Sequence, residues 1–103
     1  MQIIFHAHRA VISDRMRARA ERLIAKLASR TRRPVDAIIR FEQDGPTRRV
    51  EIVLHAPRRK NVVAEGYGRT FGPALAAAGA RVAAQLGRDK RTPKSRARAL
   101  ART

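Results

Sequence analysis

The chain contains no cysteine and no tryptophan. The first absence excludes disulfides, thiolate-held zinc and a cysteine nucleophile together. Aromatic residues are scarce, 4% of 103 residues against 44% hydrophobic, so a core must rest on Ile, Val, Leu, Ala and three Phe. Acidic residues are few as well: 8 Asp plus Glu stand against 24 Lys plus Arg, for a formal net charge of +16. Long apolar runs are also lacking. IIF near the start is too short for a signal-peptide core and ALAAAGA is far below a membrane span, so a soluble, cytoplasmic protein without a membrane partner is expected.

The dominant feature is therefore positive charge. At +16, self-repulsion opposes compaction, and a polyanionic partner is the economical explanation. Guanidinium forks suit phosphate better than ammonium does, and most of the basic residues are Arg. A chain of 103 residues holds one core and one two-layer domain.

QIIFH at 2–6 is β-branched and aromatic and predicts a strand. Ser13 then precedes an amphipathic helix in which Met16, Ala20, Leu23, Ile24 and Leu27 recur at three- and four-residue spacing. The Ser13 hydroxyl suits the N-cap and Asp14 the positive end of the helix dipole, while Arg15, Arg19, Arg22 and Lys26 face outward. Arg32-Arg33-Pro34 should end the helix, because the residue before proline is pushed out of α geometry. Val35, Ala37, Ile39 and Phe41 alternate as a second strand, DGP at 44–46 is a turn, and Val50, Ile52, Leu54 and Ala56 alternate as a third. NVVAEGYG reads as a fourth strand, with Val62 and Ala64 inward. Thr70 opens a second helix with Phe71, Leu75, Ala78, Gly79, Val82 and Leu86 as its apolar stripe, Pro73 in its first turn and Gly87 as its expected stop.

The expected fold is α+β, ordered β-α-β-β-β-α. Its four-stranded mixed sheet is parallel only between the first two strands, with both helices on one face and the other face open and polar. Residues 1–87 are expected to form the domain, and the basic segment 88–103 a disordered tail when free.

His6 and His8 would point the same way on a strand, as HxH metal hooks do, but His55 alone remains as a third ligand and no HExxH pattern is present. No metal is expected. Ser13, Ser29 and Ser95 sit at a cap, a helix end and the tail, no carboxylate pair stands in an apolar setting, and GYG at 66–68 lacks the Walker spacing and lysine. No enzyme, cofactor or small-molecule substrate is expected. The basic clusters Arg32-Arg33, Arg58-Arg59-Lys60 and Arg88, Lys90, Arg91 fall where folding does not demand charge, which points to phosphate contact. With the three Phe assigned to the core, Tyr67 is the sole stacking platform, so recognition by shape and backbone charge is expected over base stacking.

The order and spacing of several short pieces resemble the bacterial ribosome hibernation promoting factors and ribosome-associated translation inhibitors. These are Met1-Gln2-Ile3, Val11-Ile12-Ser13-Asp14, Ala25-Lys26-Leu27, Val50-Glu51 with Leu54-His55, Ala64-Glu65-Gly66, and Gln85-Leu86 with Arg88 and Lys90 after them. The chain departs from that pattern at Thr70, where the family usually has Asp, and at Phe71-Gly72 in place of Met-Tyr. The resemblance implies a fold similar to a double-stranded-RNA-binding domain and a short form without the C-terminal domain through which long members pair ribosomes. It also implies docking on rRNA of the small ribosomal subunit, in the decoding groove used by mRNA and tRNA, so that translation stops under stress or in stationary phase. Lys26, Arg88 and Lys90 carry over from the family's basic helix-end positions, and Arg58, Arg59 and Lys60 are assigned from charge. A monomer is expected when free. A general binder of double-stranded RNA or nucleoid, and a small metal-dependent hydrolase built on His6, His8 and His55, are the alternatives.

Overall fold

A computed structural model of the chain describes residues 1–31, 35–57 and 60–102, with 88–102 described as backbone alone. The order is β1 (Ile3–His8), α1 (Asp14–Ala28), β2 (Asp36–Asp44), β3 (Thr47–His55), β4 (Val62–Gly68) and α2 (Phe71–Arg102). The four strands form one sheet in the order β1-β2-β3-β4. β1 runs parallel to β2 through the α1 crossover, and the β2, β3 and β4 pairings are antiparallel. This is the α+β arrangement expected from the hydrophobic periods.

The β2/β3 register is set at the hairpin, where Asp44 pairs with Thr47 across Gly45-Pro46. Gly45 has φ 59°, a backbone state that a two-residue hairpin needs and that glycine adopts without steric cost. That register stacks Ala37, Ile39 and Phe41 against Leu54, Ile52 and Val50, all buried, and β4 adds Ala64. From the helices, Ala20, Ile24 and Leu27 and then Ala74, Leu75, Ala78 and Val82 close the core on that same face. Phe5, Phe41 and Phe71 form an aromatic row at one end of it, with ring centroids 6.4 Å apart and stacked for the first pair, 5.4 Å and edge-on for the second.

The Ser13 hydroxyl caps α1 by accepting from the Met16 N–H at 3.1 Å. α2 lies against β4 so closely that a Cβ at Gly66 would collide with the Ala74 carbonyl oxygen and the Ala78 nitrogen. Leu23 of α1 lies against Gly79 and Arg19 against Gly72, so the two helices run in the same direction. Both N-termini therefore sit at the hairpin end of the domain. The C-terminus of α1 and the β3–β4 connection sit at the other end, where Asp36 pairs with His55 and Leu54 with Val62.

Among the described residues, β4 has no strand beyond it. Two of its carbonyls are nonetheless occupied: Gln85 Nε2 donates to the Val63 oxygen at 2.8 Å and Arg81 Nη1 to the Glu65 oxygen at 2.5 Å.

Three expectations change. β1 runs on through His8 rather than ending at His6, because residues 3–8 all find partners on β2. Gly87 does not stop α2, whose backbone continues helical to Arg102. Ala, Arg, Lys and Leu make up most of that segment and are strong helix formers, and they carry the helix past one half-buried glycine and past Pro93, which removes one backbone donor. The open sheet face, expected to be polar, carries one apolar row: Ile4, Ile38, Val53 and Val63 stand side by side across all four strands. The expected stop at Arg32-Arg33-Pro34 lies outside the described residues.

Candidate nucleic-acid interface

Charge is divided by the sheet. Asp36, Glu42, Asp44, Glu51 and Glu65 occupy outward positions on the open face, so most of the chain's 8 acidic residues are gathered there. They stand against Arg40 and Arg49. The register places Arg40 beside Glu51, and the pair closes at 2.8 Å. Arg49 reaches Glu42 at 3.3 Å, Glu51 at 3.0 Å and Glu65, whose second carboxylate oxygen accepts from the Tyr67 hydroxyl at 2.7 Å. The hydrogen bond to Glu65 is the main cause that holds the Arg49 guanidinium above its ordinary pKa. The same bond, followed by that from Tyr67, holds the Glu65 carboxyl below the usual carboxylate range.

Among the described residues, no other Lys or Arg forms an ion pair with a carboxylate. The exposed cations of α1 (Arg15, Arg17, Arg19, Arg22, Lys26) and Lys60 before β4 are thus left without a carboxylate partner. A surface of this kind attracts phosphate and repels other cations.

Of the expected site residues, Lys26 lies exposed in the last turn of α1 and Lys60 exposed just before β4, at the same end of the domain. Arg32, Arg33, Arg58 and Arg59 lie outside the described residues. Arg88, Lys90 and Arg91 fall on the α2 backbone beyond Gln85, and their side chains are outside the description. The described residues on either side of both basic connections, Thr31 and Val35, then Pro57 and Lys60, flank this end of the sheet.

The outer-face network was within reach of sequence reasoning. Once DGP is read as a two-residue turn, Glu42 falls opposite Arg49 and Arg40 opposite Glu51. The Arg49–Glu65 contact needed the β3/β4 register as well, which no comparably tight turn sets.

His6 and His8 face outward on β1 beside Arg40 and Glu42, and His55 pairs instead with Asn61, Nδ1 to Oδ1 at 2.6 Å. Among the described residues, no three His, Asp or Glu are placed to hold a metal ion. None buries a polar or charged side chain. A shallow groove between β4 and α2 is lined by Val63, Glu65, Arg81 and Gln85 with two alanines, and it contains neither a histidine nor a carboxylate pair. No helix among the described residues is long and apolar enough to cross a membrane.

The family described as Sigma 54 modulation protein / S30EA ribosomal protein matches residues 3–94. Among solved structures, the Protein Y N-terminal domain of Thermus thermophilus is similar at 25% identity and a TM-score of 0.75, over 85% of this chain and 98% of that one. A ribosomal subunit interface protein from Coxiella burnetii shares the fold at 16% identity and the same TM-score of 0.75, over 87% of this chain and 98% of its own. A comparison with curated proteins finds no match.

Proposed function

This chain belongs to the Sigma 54 modulation protein / S30EA ribosomal protein family, one of ribosome-associated factors rather than enzymes, and we propose that it docks on rRNA in the decoding region of the small subunit. In that position it occupies the path of mRNA and tRNA and holds translation stopped in the cytoplasm under stress or in stationary phase.

The observation that carries this reading is the one-sided charge. The carboxylates gather on the outer sheet face, while the α1 surface and the approaches to two basic connections are left cationic. A rigid polyphosphate groove complements such a shell without base readout. The contacts belong to Lys26 and Lys60, together with Arg32, Arg33, Arg58, Arg59, Arg88, Lys90 and Arg91 from the connections and α2. Residues 1–87 form the docking body and 88–103 its basic extension.

Co-sedimentation with purified small subunits across a salt series tests the proposal. Binding should weaken linearly in log–log form as salt rises, as counterion release requires. An excess of free RNA duplex should leave the subunit complex intact. Equal competition by the duplex would make the chain a general double-stranded-RNA binder instead.

A further inference from the structure

We infer that Arg17, Arg19 and Arg48 form a second phosphate-binding site at the hairpin end of the domain, opposite the end that holds Lys26 and Lys60. The inference rests on the RNA-docking reading above and names a further place where the RNA strand is held. It makes the domain a bridge between two stretches of phosphate rather than a one-ended plug.

Two of the three side chains are held by aromatic rings and not by carboxylates. The Arg17 guanidinium lies over the Phe5 ring, 4.9 Å from its centroid, and Arg48 lies over Phe71 at 5.8 Å. Phe5 and Phe71 are the two ends of the aromatic row through Phe41, so the row fixes both arginines against one rigid base. Arg19 Nη1 lies 3.0 Å from the position a Gly72 Cβ would take, and a side chain there would displace the guanidinium head.

A guanidinium seated over a ring leaves N–H donors free to point away from it. The Arg17 and Arg48 side chains make no hydrogen bond or ion pair within the described residues, so their donors remain available to a planar or tetrahedral oxyanion. Asp14, Glu42 and Asp44 are the carboxylates at this end; Glu42 pairs with Arg49, and none of them pairs with any of the three. The first turn of α2 beside them has no acidic residue.

Solvated arginines would explain a spread-out basic face. They do not explain two arginines seated on the two ends of one aromatic row, with a third against the first turn of α2. Stacking removes much of the side-chain entropy that a phosphate contact otherwise costs. The arrangement is suited to backbone phosphates of a folded RNA and gives no base specificity.

The test compares the full chain with R17Q/R19Q/R48Q, measuring affinity for purified small subunits and for a blunt RNA duplex over a salt series. Neutralising one phosphate-binding arginine should lower the log–log salt slope by about 0.9 on a duplex. The triple variant should therefore lose about two to three from its slope and bind at least about tenfold more weakly at physiological salt. An unchanged slope on subunits that the wild type binds would overturn this site and leave the ribosome reading standing. A wild type that ignores subunits but loses its duplex affinity in the variant would do the reverse, and one that binds neither would overturn both. A second measurement needs no variant: the Nε–H resonances of Arg17, Arg19 and Arg48 in the full chain should shift on addition of the duplex. Resonances that stay in place would count against the site whatever the variant's stability.

Discussion

The outer face of the sheet and the shell around its inner face use arginine in opposite ways. On the outer face Arg40 is matched to Glu51, and Arg49 sits among Glu42, Glu51 and Glu65. On α1 and before β4 the cations are left bare. The first set ties the outer surface of the four strands together, and the second is the set proposed to meet a partner. Among the described residues the unpaired cations and the carboxylates thus lie on different sides of the sheet, so the field of this part orients the molecule as well as attracting it.

The sharpest way to break this comparison is to neutralise each side separately. R58A/R59A/K60A should weaken small-subunit binding by about 10- to 100-fold at physiological salt. E42Q/E51Q/E65Q, on the outer face, should leave it within about threefold. Sedimentation of both variants with the same subunits decides the matter, and a larger loss from the sheet variant would invert the assignment.

A smaller effect, on stability rather than affinity, is expected from Arg49→Met. It leaves three neighbouring carboxylates without their shared cation. The site is only partly buried, so screening limits the cost to about 1–2 kcal/mol, read as a lower urea midpoint at an unchanged m-value.

The smallest effect concerns pH. Glu65 is held below its ordinary range by Arg49 and Tyr67, so the folded state binds its proton less readily than the unfolded chain does. Its contribution is complete above the unfolded carboxylate range and is lost as pH falls through the lowered folded value. Thermal unfolding of Glu65→Gln and wild type between pH 7 and about 2 should therefore converge toward the acid end. A gap that stays constant would show that Glu65 acts by packing and not by charge.

Much of this fold is legible in short-range pattern. The period of Met16, Ala20, Leu23, Ile24 and Leu27 marks α1, Ser13 marks its start, and the alternation about Asp44-Gly45-Pro46 marks the hairpin. Other features depend on what the chain meets across space. β1 continues through His8 because β2 offers partners that far, and its own residues give no sign of it. Gly87 looks like a stop only if its neighbours are ignored. The apolar row of Ile4, Ile38, Val53 and Val63 draws one residue from each strand, so it exists only once all three registers are known. The candidate site divides likewise. Lys26 and Lys60 are plain as charge, whereas the seats of Arg17 and Arg48 on Phe5 and Phe71 depend on rings that sequence reasoning assigned to the core.

The bonds from Arg81 and Gln85 to the backbone of β4 have a consequence for behaviour in a crowd. By the alternation that the hairpin fixes, Val63 and Glu65 turn their peptide groups toward the unflanked side of the sheet. A neighbouring copy trying to add its own strand there would have to evict two side chains before gaining its first rung. The protein carries its own stopper at this edge of the sheet, built from the helix that also completes its interior.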